Sequence, residues 1–563
     1  MDNSAKNYAT EGQGAVLVIV NSAGNYWDYS ILDETIFSAL RHFGIPYRMF
    51  DIGVKKLTAD DLEKCVGVIL GQCRLGEGLG KQQAELIANA VQEEGIGCVN
   101  FDNELEFYPP VFLEMLGIEK VNRCPFATNI IRIKTNVHYI TEMQDESEFH
   151  EFDKMIAGTL VEKWRKDVEV LAEGVLGKEQ LIYIRHFVPH SAFEPRNYPV
   201  VLAGKWGKGK TVQFMLNPRL WRKGIFGHAR GIDDLFWRSI VWAMRKPFVA
   251  HLIPPFVTMS FDDCSGRYDF KYVDIARKYG YIPMPSLFIK EVPKSLFRKI
   301  KEDVLSSKVQ YNTHALSYYE LLTFDFGRGE LTHEKLKENF AIDDEFWNCL
   351  GVRPSIVNRI HWGEYGVKGL RFLKERGRTF FCPVLQPGLI KANQNMNDGY
   401  GPYNLNSCYY DFLPFDKEIF AFSAFPGRYK EDFLVGTTTL LRENKFNDIE
   451  KSARSGAEIL KLGLRSGFFG ELCTHEQKFD VLNLDEWEAI LLRINQMTKK
   501  FEKIYVGHDE IAKYLKSKCQ TRLAHVDKEG HFQLAGQADV PLRVSIFTEQ
   551  DGKIIRQYEE TII

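Results

Sequence analysis

The sequence predicts an α/β protein of two large domains closed by a small β module, on three observations. Apolar strands alternate with amphipathic helices from residue 15 to about 250. A second alternation of the same kind begins after the paired prolines of "FVAHLIPPF". From about residue 520 the pattern changes to a period of two. Strands apolar throughout and separated by helices imply a parallel sheet covered on both faces. At 563 residues the chain is also too long for one ordinary core.

In the first domain, taken as 1–250, "AVLVIV" (15–20), "PYRMFDI" (46–52), "VGVILG" (66–71) and "IGCVNF" (96–101) read as strands of a Rossmann-like sheet. Helices ending in glycine stand between them, among them "ILDETIFSALRHFG" and "QQAELIANAVQEEG". Hairpin-like pieces follow at "FATNIIRIKT" and "YPVVLAGKWGKGKTVQFMLN". The second domain, 251–508, has expected strands at 256–263, 282–289, 309–316, 354–362, 379–385 and 468–475. Its helices carry one apolar face, such as Trp487, Ile490, Leu491, Ile494 and Met497 in "LDEWEAILLRINQMTKKF". The segment 386–446, rich in Gly, Asn, Pro and aromatics, reads as an insertion over one end of a barrel. The module 509–563 ends in "VPLRVSIFTEQDGKIIRQYEETII", whose alternation around "QDGK" marks a hairpin.

Composition narrows the function. A net charge of -3 gives no electrostatic reason to expect nucleic acid as a partner. Ten cysteines without CxxC spacing suit reduced, buried thiols. No stretch has the roughly 18 to 20 apolar residues of a membrane helix. The polar start "MDNSAKNYATEGQG" has no signal-peptide core, so a cytoplasmic location is expected. The composition is compatible with a homo-oligomer.

"GKWGKGKT" (204–211) fits the phosphate-loop spacing, but the next segment is the strand "VQFMLN". A phosphate loop needs a helix N-terminus there. The stretch is therefore expected to be a hairpin tip, not a nucleotide site.

Chemistry concentrates at the carboxyl ends of the second domain's strands, where βα-barrel active sites lie. One end carries Asp262 and Asp263, another Asn312, Thr313 and His314. A third carries Arg359, His361, Trp362 and Glu364, and the last Thr474, His475 and Glu476. Four polar clusters at successive strand ends are hard to explain by packing alone.

These segments resemble the polysaccharide deacetylase superfamily, the NodB-homology or carbohydrate esterase family 4 group. "SFDDCSG" is similar to its TFDDG motif, with Cys264 where glycine is usual, and "THALSY" to H-S/T-x-x-H, with Tyr318 in place of the second histidine. "RIHWGEY" is similar to R-P-P-Y-G and "LCTHE" to L-x-H. The resemblance covers somewhat under half the chain and implies a distorted (β/α)7 barrel that deacetylates a carbohydrate, N-acetyl before O-acetyl. It implies Asp262 as general base, Asp263 and His314 as metal ligands, Arg359 orienting Asp262 and His475 as general acid. The implied cofactor is a divalent metal, zinc first, with cobalt or nickel as alternatives. The first domain resembles the class I glutamine amidotransferase-like, flavodoxin-like fold without its nucleophile. After "IGCVNF", where a thiol would stand, the sequence reads "DNEL", and Cys73 of "GQCRLG" follows an earlier strand.

Two adjacent carboxylates repel unless a cation neutralises one of them, so Asp263 is expected on a metal and Asp262 free to move a proton. Two ligands are too few for a catalytic zinc-like site. His361 is the expected third, and Tyr318, Trp362 and Glu364 are expected to shape the substrate pocket. Two other readings fit the same residues: a glycoside hydrolase on a related barrel, and a glycan-binding protein without catalysis.

Overall fold

The computed structural model describes residues 9–176, 196–222, 231–325, 329–361, 367–382, 410–413, 416–422, 432–434 and 448–562. Contacts divide the chain into two units: Met1–Leu252 together with Gln520–Ile563, and Ile253–Cys519.

In the first unit β1 (Val16–Val20), β2 (Tyr47–Asp51), β3 (Gly67–Leu70) and β4 (Gly97–Asn100) form where the apolar runs predict them, and they pair in parallel. Alternate side chains of β1 serve opposite cores. Val16, Val18 and Val20 enter one cluster and Leu17 and Ile19 the other, so no polar residue is tolerated on either face. The sheet continues through β5 (Ile118–Ile133), β6 (Phe149–Trp164), β7 (Glu169–Leu176), β8 (Arg196–Trp206) and β9 (Gly209–Phe214), in the order β2-β1-β3-β4-β9-β8-β7-β5-β6. From β9 onward the pairing is antiparallel. β6 and β7 were not expected, because their charged residues hide the strand period. The phosphate-loop lookalike is the tip of the β8–β9 hairpin, with Lys205 opposite Lys210 and Gly207 at φ 56°. The last strand of this unit before the crossing is β10 (Phe248–Ala250).

The second unit contains β11 (Phe256–Cys264), β12 (Pro283–Phe288), β13 (Asn312–Ala315), a short β14–β15 hairpin (Phe324–Asp325, Gly329–Glu330), β16 (Val357–Asn358), β17 (Phe380–Phe381), β18 (Tyr410–Leu413), β19 (Asp416–Phe422), β20 (Gly470–His475) and β21 (Ile504–Tyr505). Its parallel strands form two hydrogen-bonded arcs, β20-β11-β12-β13 and β16-β17-β19. That makes seven principal parallel strands among the described residues, with β21 paired beside the start of β11. Helix Leu484–Met497 starts at a capping box between Asn483 and Glu486 and buries Trp487, Ile490, Leu491 and Ile494.

Two boundaries differ from expectation. The segment 386–446 is not wholly an insertion: β19 lies inside it and pairs in parallel with β17. Its exposed start and buried "IFAF" end give a short signal that the surrounding loops conceal. The module 509–563 is not one body either. Helix His508–Cys519 buries Ile511, Ala512 and Leu515 in the second unit. β22 (Thr521–Val526), β23 (Phe532–Gly536), β24 (Leu542–Gln550) and β25 (Lys553–Thr561) belong to the first unit, where β24 pairs with β10. A two-stranded ribbon alone is marginal in water, and here Val544 gains a core with Val249, Leu523 and Val526. No helix among the described residues is long and apolar enough to cross a membrane.

Candidate metal centre and active site

β11 delivers both aspartates to the end of its arc by breaking its own alternation. Its pairing with β12 shifts register between Phe261 and Cys264, and Asp263 sits at φ 58°. A residue in left-handed backbone turns its side chain away from the pleat. Asp262 and Asp263 therefore reach different partners on the same side of the molecule.

Asp263 meets two imidazoles. Its Oδ1 lies 3.2 Å from His314 Nε2 and 2.9 Å from His361 Nδ1, and the two ring nitrogens are 3.1 Å apart. Three ligands about 2.0–2.2 Å from one ion, spread at roughly 90–110°, stand about 2.8–3.6 Å from one another. The observed triangle has those edges. His314 Nδ1 is 2.5 Å from the Arg359 carbonyl oxygen, so it carries the proton and donates it there, leaving the Nε2 lone pair toward Asp263. Asp263 Oδ1 is buried without a hydrogen bond of its own, while Oδ2 accepts from Gln477 Nε2 at 2.7 Å. Burial pushes the Asp263 carboxyl up, and N–H donors or positive charge at the two ring nitrogens facing it lower it below the usual carboxylate range, the influence a cation there would also exert. Burial lowers His361, which favours the neutral ring a metal needs. One carboxylate oxygen and two imidazole nitrogens, convergent and ionised as required, fit a divalent cation of the zinc class.

Asp262 takes a different partner. Its Oδ1 accepts from Arg359 Nε at 2.6 Å, and Asp262 and His475 are register partners on adjacent strands. Burial raises the Asp262 carboxyl, but Arg359, His314 and His475 outweigh it, so the group lies below its ordinary value. Arg359 is itself buried, with Nη1 donating to Glu471 Oε1 at 3.0 Å and Nη2 2.9 Å from Cys473 Sγ. Glu471 also accepts from Ser260 Oγ at 2.5 Å and lies 3.1 Å from His508 Nε2. His475 Nδ1 stands 3.2 Å from Asp432 Oδ2.

The structure thus brings together Asp262, Asp263, His314, Arg359, His361 and His475. Tyr318 does not join the ligand triangle. It is 39 % exposed, and its ring lies 5.4 Å from that of His361. Trp362 and Glu364 lie outside the described residues. Asn312 and Thr313 face elsewhere, Asn312 donating to Ser286 Oγ and Thr313 to Asp343 Oδ1. Sequence reasoning missed Asp432, Gln477, Glu471 and His508. Asp432 sits in a stretch read as insertion, and none of the four falls in a recognisable motif.

In the first unit, Cys73 Sγ lies 3.8 Å from Glu104 Oε1 and 3.6 Å from Asn217 Nδ2, and burial pushes its thiol up. That is the opposite of an activated nucleophile. Asp102, the residue after "IGCVNF", is buried and accepts from the amides of Arg74, Leu75 and Glu104 and from Tyr108 Oη, a structural knot.

No family model matches the chain, and no curated protein matches it. Among solved structures it is similar to a family 4 carbohydrate esterase from Streptomyces lividans in complex with acetate, at 10% identity and TM-score 0.26, covering 45% of this chain and 92% of that one. It is similar to the Bc1960 peptidoglycan N-acetylglucosamine deacetylase at 11% identity and TM-score 0.26, over 44% and 85%. It is also similar to a cytoplasmic protein from Salmonella typhimurium LT2 at 13% identity and TM-score 0.28, over 41% and 100%. Likenesses this remote carry no weight for function.

Proposed function

We propose that residues 253–519 form a metal-dependent hydrolase that removes acetyl groups, N-acetyl first, from a carbohydrate. The observation that carries this is the Asp263–His314–His361 triangle, with an ionised Asp262 on one side and the His475–Asp432 pair close by. Asp263, His314 and His361 would hold the cation, whose chemistry when bound is Lewis-acid polarisation of an acyl oxygen and a lowered pKa for water.

The chain's own groups supply the proton traffic. Asp262, kept ionised by Arg359, accepts a proton from the water as its oxygen bonds to the acyl carbon. His475, oriented by the contact of its Nδ1 with Asp432, is assigned to hand a proton to the departing amine. One C–O bond forms, one C–N bond breaks, and acetate and a free amino sugar leave. Tyr318, with Trp362 and Glu364, is assigned to sugar contacts, since aromatic faces stack on sugar rings. The first unit is assigned no chemistry.

A glycosidase requires one carboxyl to stay protonated as general acid. Asp262 and Asp263 lie below their ordinary values, so in that second reading the role falls to Glu364, which lies outside the described residues.

The test is incubation with N-acetylglucosamine oligomers after chelator treatment and zinc addition. Zinc-dependent acetate release that is lost in His361→Ala supports the proposal. New reducing ends without acetate would establish a glycosidase, and neither product with tight oligomer binding would leave a binding protein.

A further inference from the structure

We propose that Glu476 and Gln477 are positioning residues that fix Asp263 for metal binding, an inference that rests on the metal-site reading above. Asp263 is a non-glycine residue at φ 58°, a left-handed conformation that only a few per cent of such residues adopt. The turn that follows is equally unusual. Gly266 is at φ 97°, and Tyr268, Asp269 and Phe270 are left-handed in succession. Such a turn keeps its shape only if the surroundings determine it.

Glu476 supplies that determination. Its carboxylate is fully buried and accepts five hydrogen bonds from the turn and the helix after it. Oε2 accepts from Ser265 N at 2.6 Å and Ser265 Oγ at 2.8 Å. Oε1 accepts from Gly266 N at 3.0 Å, Arg267 N at 2.9 Å and Tyr272 Oη at 2.7 Å. Three consecutive amides closing on one carboxylate form an anion nest occupied by the protein itself. Gly266 supplies the φ of 97° that the turn needs and that side chains rarely adopt. Arg267 adds a peripheral tie, with Nη1 2.5 Å from Asp480 Oδ1.

The next residue acts on the ligand itself, Gln477 Nε2 donating to Asp263 Oδ2 at 2.7 Å and turning Oδ1 toward the imidazoles. Successive residues at the end of β20 thus serve three parts of one site: His475 faces Asp432, Glu476 holds the backbone after Asp263, and Gln477 holds its carboxylate. Glu476 and Gln477 act through Asp263 and the turn after it, so their role is placement of the ligand.

The experiment measures zinc affinity by competition with a chromophoric chelator, and the visible spectrum of the cobalt-loaded protein, for wild type, Glu476→Gln, Gln477→Met and Ile300→Val. In Glu476→Gln an amide NH₂ must face backbone N–H groups, and zinc binding weakens about 10- to 100-fold with an altered cobalt spectrum. Gln477→Met, at a partly exposed position that tolerates change, weakens binding about tenfold. Ile300→Val, a buried helix residue, lowers stability and leaves affinity unchanged. Hydrogen exchange of amides 265–267 in the metal-free protein is faster in Glu476→Gln alone. Native zinc affinity in both Glu476→Gln and Gln477→Met overturns the inference, as does a loss matched by Ile300→Val. A wild type that binds no zinc or cobalt overturns the metal reading and, with it, this placement role.

Discussion

Replacing Arg359 with methionine removes the one guanidinium that serves two buried carboxylates. Arg359 is 1 % exposed and Glu471 fully buried, and Arg359 contacts Asp262 at 2.6 Å and Glu471 at 3.0 Å. Breaking a buried ion pair from one side costs about 3–5 kcal/mol, because the remaining charge keeps its desolvation penalty. With a urea dependence of about 1–3 kcal/mol per molar, the unfolding midpoint of the second unit falls by about 1–5 M. The loss has a pH signature. Asp262 and Glu471 are both held below their ordinary values, with burial raising them and Arg359 the largest opposing influence. That stabilisation is full above the unfolded carboxylate pKa and is lost as pH falls through the folded values. In Arg359→Met burial is less opposed, and the folded state takes up a proton at a pH where the unfolded chain does not. The gap between wild type and variant is therefore widest near pH 7 and narrows toward pH 4, and the acid limb of any activity profile moves upward. The assay is urea unfolding between pH 4 and 8 alongside acetate release. A neutral-pH gap under about 1 kcal/mol, or one that does not change with pH, refutes the reasoning.

Asp432→Asn leaves His475 without the carboxylate at Nδ1 and lowers kcat on the order of 10²-fold with KM little changed; a raised KM with kcat unchanged would place Asp432 in binding instead. Lys518 is buried and its amine is lowered to about 7 by burial. The unfolded chain then binds the extra proton between about pH 7 and 10, so wild-type stability rises through that window. Lys518→Met removes the rise and is the more stable protein at pH 6, read from melting temperature against pH.

The aspartates of "SFDDCSG" were legible because two adjacent charges at the end of an apolar strand demand a local reason. His361 was expected near Asp263 because two donors are too few for a zinc-like site and it stood at a neighbouring strand end, and its Nδ1 lies 2.9 Å from Asp263 Oδ1. Asp432 was not legible. It lies among residues with no period of their own, and nothing local ties it to His475, more than forty positions away in the chain. Glu471 and His508 look like ordinary polar residues in sequence, and only the buried Arg359 between strands gives Glu471 its purpose. The 509–563 module was misjudged for a related reason: a hairpin is visible locally, but which core it joins is not.

What the sequence by itself determined is the succession of strands and helices and the kinds of side chain at the strand ends, since both follow from near-neighbour periodicity and turn chemistry. What only the tertiary structure decided is convergence. The positive φ at Asp263, the triangle with His314 and His361, and the carboxylate of Glu476 in the turn after Asp263 are set by contacts between segments far apart in the chain. Those contacts depend on packing in three dimensions, which a local pattern does not encode.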